Sequence, residues 1–291
     1  METEKKEYPV WKLILQIILA TMLAFGLLLG VPLLVAMLWT ANRDAKHEQM
    51  KPQVQELATA YIAEQYPGND FEITDLYHSF KDNSFNVEVQ SRSSADTHFT
   101  VRFNDTTLEV DYDSYQWSVA NRGNTAQRIV DDYTDRTKAV LKVLPGMLYV
   151  RADFVRYSET ASHDLHFSPE GLVSSTLELD RVYDAGEMGW DFGCLSVTFQ
   201  EVLENVNIQC LLERLWEVDE AMTQAGVGYQ VIGITLEPKP DGQDVEEFTV
   251  YAIRREDLYS DDPMAVLQAL WEEQEANRQA LKEKWAKSEQ E

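Results

Sequence analysis

The apolar positions of the chain change pattern from one end to the other. Leu13 to Leu38 is apolar except for Gln16 and Thr21. As a helix this run spans roughly 39 Å at about 1.5 Å per residue, more than the ~30 Å hydrocarbon core of a bilayer. Tyr8, Trp11 and Trp39 stand where interfacial aromatics belong. The run is too long for the apolar stretch of a cleaved signal peptide, and Trp39-Thr40-Ala41 is a poor cleavage site. Residues 1–41 are therefore read as a tail and one transmembrane helix. Lys5 and Lys6 on the short tail place the N-terminus in the cytoplasm and the rest of the chain outside it, although Arg43, Lys46 and Lys51 nearly balance them. Gly26 and Gly30 form a G-x-x-x-G pair, which predicts helix packing and a homodimer through this segment.

Beyond the run the period shortens to that of a surface helix. Pro52 suits a first helical position, and Val54, Leu57, Ala58, Tyr61 and Ile62 form one apolar stripe that Tyr66-Pro67-Gly68 ends. Strict alternation follows, from Phe71 to Phe80, Phe85 to Val89, Phe99 to Phe103 and Leu108 to Tyr112, with turn residues between. These are antiparallel strands with one buried face. A second helix carries Ala126, Ile129, Val130, Tyr133, Val140, Leu141 and Leu144 on one side and ends at Pro145-Gly146. This first α+β domain is drawn at 50–145. Its predicted core holds Leu57, Tyr61, Ile62, Phe85, Val87, Phe99 and Val101.

A second α+β domain is drawn at 146–258. Its predicted strands are Leu148 to Phe154, Leu172 to Leu179, Cys194 to Phe199, Tyr229 to Leu236 and Phe248 to Ile253. Gly186, Gly189 and Gly193 give residues 184–193 the look of a loop, and Leu211, Leu215, Val218 and Met222 have helical spacing. Asp262-Pro263 starts a C-terminal helical tail, 261–291. Gln274, Asn277 and Arg278 interrupt its apolar stripe, so partial docking is expected, with Trp271 and Trp285 left as partner contacts. The fold class is α+β: an N-terminal transmembrane helix, two small domains of antiparallel sheet plus helix, and a C-terminal helix.

Charge narrows the function classes. Against 50 Asp and Glu stand 25 Lys and Arg, a net charge of −25. Phosphate affinity needs clustered cations, so nucleic acid is excluded as a partner, as is electrostatic docking on an anionic membrane surface. Only Cys194 and Cys210 are present, which excludes a disulfide scaffold and a Cys-rich zinc site. Neither lies in a C-x-x-C motif, and both are read as unbridged thiols.

One resemblance rests on Tyr66-Pro67-Gly68 with Phe71 and Ile73, Ser91 through Asp96-Thr97-His98-Phe99, Asp113-Ser114-Tyr115, and Asn124-Thr125 with Arg128. In this order they resemble the YfjL-like family of small membrane-anchored bacterial proteins over about residues 50–145, continuing weakly to 258. The resemblance implies an anchored envelope protein and supplies no catalytic residues.

The sequence holds no phosphate-binding loop, dinucleotide fingerprint, nucleophile elbow or zincin helix. Ser94, Asp96 and His98 would share one strand face, but a row about 6–7 Å apart does not converge as a triad must. His163 and His166 lack a third ligand at metal spacing, and the acidic clusters around Asp111, Asp131 and Asp261 lack a calcium-loop pattern. No catalytic, cofactor or metal residue is assigned. The expected function is a non-enzymatic binding module of the cell envelope with an unidentified protein partner. Two alternatives stay open: an extracytoplasmic enzyme whose site assembles only in three dimensions, and a protease-inhibitor-like module.

Overall fold

A computed structural model describes residue 37 and residues 43–154, 171–202, 206–238 and 247–288. The chain divides into two compact units, residues 1–89 with 100–113, and residues 90–99 with 114–291.

In the first unit a helix α1 (43–65) precedes strands β1 (Phe71–Ser79), β2 (Ser84–Ser91), β3 (His98–Asn104) and β4 (Val110–Asp113). They form one sheet in that order, β3 and β4 being antiparallel. Val54, Ala58 and Ile62, spaced four apart on α1, are buried, as are Phe85, Val87, Val89, Val101 and Phe103 on the strands. Tyr61 packs edge-on against Phe103 and donates its phenol to Asp113, which also accepts Tyr66. Burial first, and then the Asp113 carboxylate, push the Tyr61 phenol up to about 12. Leu57, expected in the core, is 38% exposed: the stripe that faces the sheet is centred one residue further along. Pro52 lies inside α1, whose helical residues begin at least as early as Arg43.

The second unit contains helix α2 (Gly123–Leu141), strand β5 (Met147–Phe154), helix α3 (Ala185–Phe192), strand β6 (Gly193–Glu201), helix α4 (Ile208–Gln224), strands β7 (Val231–Pro238) and β8 (Phe248–Arg254), and helix α5 (Pro263–Ser288). The sheet order is β5-β6-β7-β8. Val150, Ala152, Phe154, Leu195, Val197, Phe199, Ile232, Ile234 and Leu236 form its core with Ala126, Ile129, Tyr133 and Leu141 of α2 and Leu211, Leu215 and Val218 of α4. Helix α2, assigned by sequence to the first domain, thus packs in the second unit.

Four expectations about architecture are corrected. No helix among the described residues is long and apolar enough to cross a membrane. Even the 26-residue α5 is studded with Glu, Lys and Arg. The run expected to span, Leu13 to Leu38, lies outside the described residues except for Met37. The second sheet is not wholly antiparallel. Strands β6 and β7 run parallel, because the segment between them carries α4 and can return the chain to the same end. Residues 185–192 are helix rather than loop. Asp184 caps α3, its Oδ1 accepting Gly186 N at 3.0 Å and Glu187 N at 3.3 Å. Its glycine serves contact: a Cβ at Gly189 would run into the Gly228 carbonyl and the Tyr133 ring. The stretch Leu172–Leu179 forms a short 3-10 turn at Ser174–Thr176 instead of a strand.

The first-unit core makes a paired prediction. Phe85→Ala, at a position with no exposure, should cost about 3–5 kcal/mol, whereas Leu57→Ala should stay below about 1 kcal/mol. Urea denaturation of each variant checks both, and equal costs would mean that α1 is rotated from the arrangement described.

Candidate binding groove

Helix α2 buries Ala126, Ile129, Val130, Tyr133, Thr137 and Leu141 against the sheet. The neighbouring line on the same helix, Thr134, Lys138 and Lys142, is spaced four apart and therefore runs straight beside that face. It meets β5, whose Val150, Ala152 and Phe154 point into the core. The Thr134 hydroxyl donates to the Ala152 carbonyl at 2.8 Å and ties the helix to the strand. Between them lies a groove of about 330 Å³ with Lys138 and Lys142 on one wall and Leu148, Tyr149 and Arg151 on the other. Leu148 and Tyr149 are 50% and 55% exposed.

Among the described residues, strand β5 is an edge strand with β6 as its one strand neighbour. The opposite edge, β8, is closed differently. Gln274 of α5 accepts Tyr251 N at 2.9 Å and donates to Tyr251 O at 2.8 Å, so its side-chain amide mimics a strand. Between Leu148 and Ala152, the one such bond on the outer side of β5 among the described residues is that from Thr134. An edge strand with bare backbone is a template for strand addition.

Several arginines of the unit are paired, whereas Arg122, Lys284 and Lys287 make no ion pair among the described residues. Arg128 pairs with Asp96, Arg136 with Asp132 and Asp184, Arg214 with Glu201 and Glu217, and Arg255 with Asp219. Among the described residues, Lys138, Lys142 and Arg151 make no ion pair. Three cations with no ion pair among the described residues thus line one groove on a chain of net charge −25.

The residues singled out from sequence fall elsewhere. Asp96 is buried and held by Arg128 through two bonds of 2.7 and 2.8 Å, and it accepts Asp180 N at 2.9 Å. Ser94 donates to Thr97, and His98 is exposed, so these side chains do not converge on Asp96 as a triad. Asn124 spans the Asp96 and His98 carbonyls. The motif is a clip that closes the tip of the β2–β3 hairpin. Cys194 and Cys210 are free thiols, half-buried, and burial raises both above their ordinary range. Asp111 pairs with Arg102, and Asp131 accepts Gln127. Trp271 is half-buried and stacks on Phe248 with ring centroids 5.4 Å apart, while Trp285 is exposed. Gly26, Gly30, His163 and His166 lie outside the described residues. The groove itself was missed in sequence. Its only signal there was the four-residue spacing of Thr134, Lys138 and Lys142 off the apolar stripe.

No protein-family model matches the chain, and no curated protein does. A comparison with solved structures finds similarity to the crystal structure of a DUF5037 family protein from Ruminococcus gnavus. The two are 12% identical over 77% of this chain and 99% of that one, with a TM-score of 0.22, too low to support any conclusion about this chain.

The clip generates a pH prediction. Hydrogen bonding from Arg128, opposed by burial and aided by Asp180 N, lowers the Asp96 carboxyl from 3.8 to about 2. The folded state therefore binds this proton less readily than the unfolded chain. The clip's stability is fully present above the unfolded value and is lost as pH falls through the folded one. Arg128→Met should lower stability by a constant amount above about pH 5, and the gap to wild type should narrow between pH 3.8 and about 2. Urea titrations of both proteins across that range provide the check.

Proposed function

We propose that this protein is a non-enzymatic binding module that takes an extended acidic segment of a partner protein along the open edge of β5. The observation that carries the reading is the groove of Lys138, Lys142 and Arg151, unpaired among the described residues, beside a strand edge that those residues leave largely bare. Strand addition would supply main-chain hydrogen bonds, and alternate side chains of the guest would face the lysine wall. Exposed Leu148 and Tyr149 offer the apolar contact that a purely ionic groove lacks. The YfjL-like resemblance supplies no binding residues, so the groove stands on its own geometry.

A peptide of about ten residues alternating Glu and Val is the probe. It should bind with an affinity that falls as salt rises, because exposed charges beyond a Debye length are screened. Lys138→Glu combined with Lys142→Glu should weaken binding at least about tenfold by isothermal titration calorimetry, a loss of about 1.4 kcal/mol. Replacing the central Val of the peptide by Pro should weaken it too, since strand pairing needs the N–H. Binding unchanged by both the charge reversal and the proline would reject the reading.

A further inference from the structure

The first unit brings together two histidines and a carboxylate from three separate segments. His47 lies on α1, His78 near the end of β1, and Asp105 in the turn after β3. One ligand atom from each falls within 4.8 Å of the other two. His78 Nε2 is 3.1 Å from Asp105 Oδ2, and His47 Nε2 is 3.9 Å from the same oxygen. The imidazoles stack with centroids 3.6 Å apart and planes 12° from parallel. Phe85 and Phe80 close in on the pair, Phe85 edge-on to both rings. The side chains of His47, His78 and Asp105 are 10%, 5% and 18% exposed.

Protein contacts alone leave this cluster short of partners. The single Asp105 oxygen accepts His78 within hydrogen-bond distance but not His47. Nδ1 of each ring is buried and has no hydrogen-bond partner among the described residues. His47 is thus nine-tenths buried with neither nitrogen bonded among the described residues, and a buried polar group left unpaired carries a desolvation cost. Two stacked imidazoles and a carboxylate gathered at one point suit a single cation.

We infer that His47, His78 and Asp105 form a binding site for a divalent transition-metal ion of the zinc type. Two imidazole nitrogens and one carboxylate oxygen match the ligand set that Zn²⁺ and Co²⁺ prefer, and they are too nitrogen-rich for Ca²⁺ or Mg²⁺. Tetrahedral ligands about 2.0–2.1 Å from an ion stand roughly 3.4 Å from one another. The nitrogen-to-oxygen separations of 3.1 and 3.9 Å bracket that spacing. The ring planes lie 12° from parallel, and rotation of one ring about χ2, a soft torsion in histidine, would turn its nitrogen toward an ion shared with the other. The fourth position falls to water. The site ties α1 to the sheet, so binding would couple to stability of the first unit.

The test uses the full chain, stripped with a chelator and titrated with zinc. Wild type should take up one ion through this site, and its thermal unfolding should shift upward and return when EDTA is added. Co²⁺ in place of zinc should give the visible absorption of a four-coordinate site. His47→Gln and His78→Gln should each weaken uptake at least tenfold and abolish the thermal shift, while His98→Gln leaves both unchanged. Should the site variants fail to fold, X-ray absorption of the zinc-loaded wild type decides, with two imidazoles and one carboxylate expected around the metal. Absence of uptake, uptake retained in both site variants, or a shell without two imidazoles would overturn the assignment.

Discussion

The burial of one tyrosine sets the geometry of the second unit. Tyr133 is fully buried on α2, and its phenol donates to the Gly228 carbonyl at 2.8 Å, just before β7. The ring can lie there only because its neighbours are small: a Cβ at Gly189 or Gly193 would collide with it. This one anchor sets the rotation of α2 about its own axis. Once Tyr133 faces the sheet, Thr134 must turn toward β5, and Lys138 and Lys142 follow it at successive turns. The groove is therefore a consequence of core packing. A Gly193→Ala change would disturb the groove as well as the core, since the new methyl would press on the phenol that holds α2 in register.

The two edges of the same sheet show how the chain spends polar groups. At β8 a glutamine amide closes the backbone, and Trp271 one turn earlier on α5 stacks on Phe248. At β5 the nearby side chains are cationic and the strand is left open. Lysine beside an edge also discourages like-charged or identical strands from pairing. The same lysines would not repel the proposed acidic guest, so one device would both limit aggregation and select for charge.

Much of this was legible in the sequence, and what was not has physical causes. Alternation gave the strands of the first sheet and the helical spacing of α4, because each pattern reflects one buried face. Helix α3 was hidden because Gly186 and Gly189 signal a loop by composition, yet they are there to let helix, strand and tyrosine approach. Gln274 looked like a break in the α5 stripe, and it is the residue that docks α5. Leu57 fitted the stripe but fell on its rim, where a helical repeat alone cannot tell a core position from a flanking one. His47, His78 and Asp105 share no sequence spacing at all, so only the fold brings them together.

Satisfaction of polar atoms separates the structural clusters from the candidate sites. Asp219 is almost fully buried, yet it accepts Tyr229 at 2.9 Å and Arg255 at 2.6 and 3.3 Å, and Tyr259 as well. Arg255 in turn lies over the Trp190 ring. Every strong group in that network has a partner, and a network of this kind holds α4 to the segment after β8 without needing a ligand. Asp96 is the same case at the hairpin tip. The groove cations and the stacked histidines are the opposite case, charged or polar groups gathered by the fold and left unmatched among the described residues. Placing them so costs stability that apolar residues would not. Such a cost would be offset if something outside the chain completed the contacts, the proposed acidic strand in one unit and the proposed metal ion in the other.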